Sequence, residues 1–136
     1  MIGRSLGDFV LREKLADGGF GEIYRAEQPR LAREAVVKVL RARLEARDAV
    51  RVAFVREVQL ASRLDHPFAA HVYDCRVEAD GLLWIAMELV RGTPLDELLA
   101  ARGPMRPDQV VPLLEKIAEV AHTAHEQGIV HRDLKP

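Results

Sequence analysis

The chain has 136 residues, 49% of them apolar and 30% charged, a length that suits one domain or part of one with a real core. Its 20 Lys+Arg stand against 21 Asp+Glu, a net charge of −1, so it lacks the basic excess that binding a nucleic-acid backbone requires. No stretch approaches the ~18 apolar residues that span a bilayer, and Gly3, Asp8 and Glu13 occupy the place of a signal peptide's apolar run, so a cytoplasmic location is expected.

Residues 8–16 alternate apolar and polar through Phe9, Leu11, Glu13 and Leu15, which predicts a half-buried strand. Asp17-Gly18-Gly19-Phe20-Gly21 breaks the alternation, and Glu22 to Glu27 resumes it before Pro29. A dinucleotide fingerprint or a P-loop needs a helix directly after its glycines. Here Pro29 follows too soon, so the unit is strand, glycine turn, strand. Residues 34–40 form a third strand, apolar after Glu34 except for Lys38. From Arg47 to Leu64 the period becomes helical, with Val50, Phe54, Val58 and Ala61 on one stripe and Glu57 inside it. Residues 70–77 and 82–90 predict two more strands, joined by a turn at Glu78-Ala79-Asp80-Gly81. After Arg91-Gly92-Thr93-Pro94 the pattern is helical again. Leu95, Leu98 and Leu99 mark a short helix ending near Gly103. Val110, Leu114, Ile117, Ala121 and Ala124, with Leu113 and Val120 alongside, mark a long one ending at Gly128. Pro112 implies that the long helix has an irregular first turn or starts later than Pro107.

Cys75 is the single cysteine, so no internal disulfide forms and a reducing compartment is expected. The lysines are only Lys14, Lys38, Lys116 and Lys135. Two charges sit where hydrophobicity predicts none: Lys38 on an apolar strand and Glu57 on an apolar helical face. An unpaired charge there is costly. Together, downstream of a glycine turn, they suggest a pair that holds a lysine toward a phosphate. The chain closes on His131-Arg132-Asp133-Leu134-Lys135-Pro136, four polar chemistries within six residues.

In this ordered set the chain resembles a eukaryotic-type serine/threonine protein kinase of the kind found in bacteria. The residues are Ala16-Asp17-Gly18-Gly19-Phe20-Gly21-Glu22-Ile23, Ala35-Val36-Val37-Lys38, Arg56-Glu57 and His131-Arg132-Asp133-Leu134-Lys135-Pro136. The resemblance covers residues 8–136. It implies an α+β fold: a kinase N-lobe at residues 1–91, with a five-stranded antiparallel sheet and one helix, then the first helices of an incomplete helical C-lobe at residues 92–136.

It also implies ATP as ligand and protein Ser/Thr hydroxyls as phosphoryl acceptors. Backbone N–H groups from Asp17 to Gly21 would cover the phosphates. Lys38 would contact the α- and β-phosphates, oriented by Glu57. Met87 would be the gatekeeper, and Glu88, Leu89 and Val90 the hinge that meets adenine, with Ile23 and Val36 on the ring. Asp133 would act on the attacking hydroxyl, Lys135 on the transferred phosphoryl group, and Arg132 would pair with an activation-loop phosphate.

The chain departs from the family pattern at Ala16, in place of the first loop glycine, at Val36, in place of an alanine, and at Phe68, in place of the asparagine after His66-Pro67. Asp96 is read as an exposed helix carboxylate rather than a ribose ligand. His66, His71, His122, His125 and His131 are read as structural or surface residues rather than metal ligands. The family's magnesium ligands, an asparagine after the catalytic lysine and the aspartate of an Asp-Phe-Gly loop, are not among residues 1–136, so no metal site is expected in this chain. The expectation is a truncated kinase domain, inactive alone. The alternative is a non-catalytic kinase-like module that binds nucleotide or a partner. A small-molecule phosphotransferase fits the closing hexapeptide less well. Because much of a helical lobe would be missing, the long helix's stripe is expected to be partly exposed and to drive self-association.

Overall fold

The computed structural model describes residues 1–18, 21–40, 56, 58–59, 61–131 and 134. They divide into two compact units, Met1–Arg63 with Ala70–Leu89, and Leu64–Ala69 with Val90–Pro136.

The first unit is an antiparallel sheet. The five strands expected from the alternation are present as β2 (Phe9–Gly18), β3 (Gly21–Gln28), β4 (Arg33–Leu40), β5 (Val72–Val77) and β6 (Leu83–Glu88), and a short β1 (Ser5–Leu6) precedes them. The six strands lie in the order β1-β2-β3-β4-β6-β5. The extra edge strand is two residues long, too short for any period to announce it. It is held by Leu11 N–H donating to Arg4 C=O and Gly3 N–H donating to Leu11 C=O.

Period-2 burial is clearest in β4, where Ala35, Val37 and Val39 are buried while Val36, Lys38 and Leu40 are only half-buried. Tyr24 and Ala26 of β3, Phe9 and Leu11 of β2, and Trp84 and Ala86 of β6 join them in one apolar cluster with Leu6 and Leu82. Trp84 is its centre, 0% exposed. Its ring meets Phe9 edge-on at 6.0 Å, and its indole N–H donates to Glu78 Oε1 at 2.6 Å. Glu78 opens the predicted turn, which Gly81 closes by donating to Glu78 C=O at φ 81°. One side chain thus ties core to turn. Trp84→Phe is expected to lower stability by about 1–2 kcal/mol, from the lost hydrogen bond and the space left beside Phe9. Chemical denaturation with an unchanged slope would check it.

Of the helix expected at 47–64, Arg56, Val58, Gln59 and Ala61 are helical and Val58 is buried. Residues 62–64 are described but not helical, and residues 47–55, Glu57 and Leu60 lie outside the described residues.

The second unit holds α1 (Leu95–Arg102) and α2 (Pro107–Glu126). Gly103 ends α1 at φ 78°, its N–H donating to Leu99 C=O. The long helix starts at Pro107 and runs through Pro112, so of the two alternatives that Pro112 raised the late start does not occur. Pro107 sits where its missing N–H is not needed. Arg106 fixes the entry, with its N–H on Gln109 Oε1 at 3.3 Å and its guanidinium forked onto Asp108 at 3.0 and 2.6 Å.

The end of α2 is as expected. Gly128, at φ 75°, donates to His125 C=O and Ile129 donates to Ala124 C=O, a Schellman pair that satisfies two terminal carbonyls. The stripe is as expected except at Leu114: Val110, Leu113, Ile117, Val120 and Ala121 are half-buried and Ala124 is buried. Leu114 is 55% exposed and Val111 49%. His66 is buried against α2 within the same unit. Its Nδ1 accepts Phe68 N–H at 3.3 Å, and its Nε2 lies 3.4 Å from Glu119 Oε1. Both ring nitrogens are thereby occupied.

Candidate functional site

The pairing register decides which residues share a face. Ala16 opposes Ile23, Ile23 opposes Lys38, Lys38 opposes Ile85, and Ile85 opposes Cys75. These five residues form one row across β2, β3, β4, β6 and β5. The neighbouring row on the same face contains Glu13, Arg25, Val36, Met87 and Val72. Five residues singled out from sequence, Ala16, Ile23, Val36, Lys38 and Met87, therefore lie in two adjacent rows of one face. This is the face that the Trp84 cluster does not use. Ile23, Val36, Lys38, Ile85 and Met87 are all half-buried there. Of the two further members, Ile85 had a signal in sequence, two residues before Met87; Cys75 had none, since the irregularity between Val72 and Asp74 puts it at odd spacing from Val72. Burial, and behind it Asp74, pushes the Cys75 thiol up, which keeps it protonated and unreactive.

Arg25 is a second cation on this face, held by Glu13 at 3.2 Å and by Glu34 at 3.8 Å.

The glycine turn lies at one end of the same hairpin. Gly18 pairs with Gly21 and Asp17 with Glu22, so β2 and β3 stay in register up to the glycines flanking Gly19 and Phe20, which lie outside the described residues. Gly21 has φ 150°, and a Cβ there would overlap Val39 O and come within 3.0 Å of Val39 C and 3.1 Å of Leu40 Cα. At Gly18 the nearest atom to an added Cβ would be Gly21 O at 3.9 Å. The glycine requirement at Gly21 thus arises from the close approach of β4.

On the opposite face of the hairpin is a charged cluster that no sequence period marks. Lys14 Nζ donates to Asp17 Oδ2 at 2.7 Å and to Glu22 Oε1 at 2.6 Å, and Tyr24 OH donates to Glu22 Oε2 at 2.7 Å. The bond to Asp17 and then that to Glu22 push the Lys14 ammonium well above its ordinary value. Lys14 first and Tyr24 second hold the Glu22 carboxyl below its own.

At the end of β6, Glu88 N–H donates to His71 C=O at 2.8 Å, while His71 N–H donates to Glu88 Oε2 at 3.1 Å. Val90, beyond it, belongs to the second unit and is 67% exposed. Asp96 is exposed, and its Oδ1 accepts Glu97 N–H at 2.9 Å. Glu57, Arg132, Asp133 and Lys135 lie outside the described residues. Among the described residues no three His, Cys, Asp or Glu side chains are grouped to hold a metal, and no helix is long and apolar enough to cross a membrane.

An antiparallel sheet with a lysine central to its less buried face, followed by helices, is the α+β plan of a protein kinase domain. The family model for that domain matches residues 9–136, and the chain belongs to the protein kinase family. It is 41% identical over 136 residues to serine/threonine-protein kinase PknF of Mycobacterium tuberculosis, covering 98% of this chain and 28% of PknF. It is 38% identical over 122 residues to serine/threonine-protein kinase pkn3 of Myxococcus xanthus, covering 90% of this chain and 22% of pkn3. The crystal structure of the Mycobacterium tuberculosis PknI kinase domain superposes with a TM-score of 0.85 at 32% identity, covering 100% of this chain and 55% of that one. The chain thus spans about a quarter of the length of these curated relatives and about half of the solved domain.

Proposed function

We propose that the chain is the ATP-binding part of a serine/threonine protein kinase, and that its open sheet face is where the nucleotide lies. The observation that carries this reading is the row Ile23, Lys38, Ile85 beside the row Val36, Met87. An ammonium flanked by apolar neighbours on a half-buried face suits a ligand with one apolar end and one anionic end. Adenine would pack on Ile23 and Val36 and stop at Met87. Lys38, oriented by Glu57, would take the α- and β-phosphates, and the turn's N–H groups from Asp17 to Gly21 would cover them.

Because Glu88 N–H is already given to His71, this residue would meet adenine's amino group with its carbonyl. Val90 would supply the complementary donor. Asp133 would orient the acceptor hydroxyl, Lys135 would neutralise the transferred phosphoryl group, and Arg132 would answer a phosphate on the activation segment. Magnesium serves the family by clamping phosphate charge. The described residues hold no donor set that fits it.

Calorimetric titration of the 136-residue polypeptide with ATP tests this. The expected result is saturable binding that adenosine competes away. Absence of saturable binding at millimolar ATP would overturn the reading. The same polypeptide is expected to transfer no phosphoryl group to a Ser/Thr substrate, since the metal ligands are not among its residues. Transfer that Asp133→Ala abolishes would contradict that.

A further inference from the structure

The triphosphate that the glycine turn is proposed to cover carries several negative charges, yet two carboxylates, Asp17 and Glu22, stand directly opposite each other at the root of that turn. Like charges so placed across two strands destabilise the pairing, and they would repel the arriving phosphates. Lys14 answers both problems at one point. Its ammonium lies between the two, 2.7 Å from Asp17 Oδ2 and 2.6 Å from Glu22 Oε1. Asp17 comes from the outgoing strand of the hairpin and Glu22 from the returning one, so the ammonium crosslinks the turn at its base. Tyr24, 2% exposed and opposite Lys14 in the register, anchors Glu22 from below through its hydroxyl. The cluster lies on the face opposite Ile23, so Lys14 is aimed away from the proposed nucleotide.

We propose that Lys14 is a positioning residue for the triphosphate: it closes the β2–β3 hairpin beneath the glycine turn and cancels one of the two carboxylate charges there. This rests on the ATP-binding reading above. Lys14 touches no ligand in this scheme; it acts through Asp17 and Glu22, which set the position and potential of the backbone that does.

The test compares the wild-type chain with Lys14→Met and with Lys14→Met combined with Asp17→Asn and Glu22→Gln. Affinities for ATP and for adenosine are measured, together with amide hydrogen exchange at residues 16–24. Lys14→Met is expected to weaken ATP binding roughly three- to tenfold, the scale of one or two unscreened surface charges, and to leave adenosine affinity within about twofold. Exchange across the hairpin root should accelerate. The triple variant, with both carboxylates neutral, should recover most of the ATP affinity. Equal weakening of ATP and adenosine would reduce Lys14 to an ordinary structural contact and overturn the proposal, as would unchanged exchange or a triple variant no better than the single one. A wild-type chain that binds neither nucleotide sinks the ATP reading and the electrostatic half of the proposal with it. The exchange data still decide whether Lys14 closes the hairpin.

Discussion

Gly21→Ala is expected to unfold or severely loosen the first unit, at a cost of roughly 2–6 kcal/mol. Two effects add. At φ 150° a residue with a Cβ is strained by about 1–3 kcal/mol. The methyl would also overlap Val39 O, with Val39 C and Leu40 Cα close behind. These are backbone atoms of β4, which cannot rotate away as the end of a side chain can, so β3 and β4 must separate. Overpacking of that kind costs about 1–3 kcal/mol or more. The register makes the damage spread, because Gly21 pairs with Leu40 and the next pairs along are Glu22 with Val39 and Ile23 with Lys38. Gly18→Ala is the control: an added Cβ there meets only an ordinary van der Waals contact, Gly21 O at 3.9 Å, and its effect is expected to stay within about 1 kcal/mol. Thermal melts of both variants check this, with a drop on the order of 10 °C or more for Gly21→Ala and a few degrees for Gly18→Ala. If Gly21→Ala melted like wild type while losing ATP affinity, the glycine would be serving phosphate approach rather than strand packing.

That distinction marks what was legible in the sequence. The five strands were, because a period of two leaves its print where one face is buried, most clearly at Ala35, Val37 and Val39 around Lys38. Lys38 stood out for the same reason, as the one charge in an apolar run. Four things were not legible, each for a physical cause. Ser5–Leu6 is held by backbone bonds to β2, and two residues carry no period. Pro112 implied an irregular first turn or a start later than Pro107, but a proline near a helix's N-terminus forfeits only one bond there, and the helix accommodates it. Leu113 and Leu114 are adjacent on a helix, so hydrophobicity alone left open which one faces inward; packing selects Leu113. The Lys14, Asp17, Glu22 and Tyr24 cluster joins residues from two strands, and only the bulge between Lys14 and Ala16 brings the lysine into line with both carboxylates.

The second large effect is expected at Lys38. Lys38→Met should lower ATP affinity by about tenfold to a hundredfold and leave adenosine affinity within about twofold, because charge-assisted hydrogen bonds to phosphate are worth about 1.5–3 kcal/mol and adenosine makes none. Methionine keeps the length and most of the volume of the lysine stem between Ile23 and Ile85, so a half-buried strand position that asks only for an unbranched side chain should fold as before. An unchanged melting temperature would confirm that the loss is chemical. Arg25, in Val36's own row, cannot substitute, since Glu13 and Glu34 already hold it. The size of the effect also separates Lys38 from Lys14. Lys38 would touch the phosphates and lose a full contact, whereas Lys14 acts at a distance through two carboxylates. Neutralising Asp17 and Glu22 should therefore restore ATP affinity to Lys14→Met and should not restore it to Lys38→Met. A Lys38→Met chain that binds ATP and adenosine as the wild type does would place the nucleotide on some other surface of the molecule.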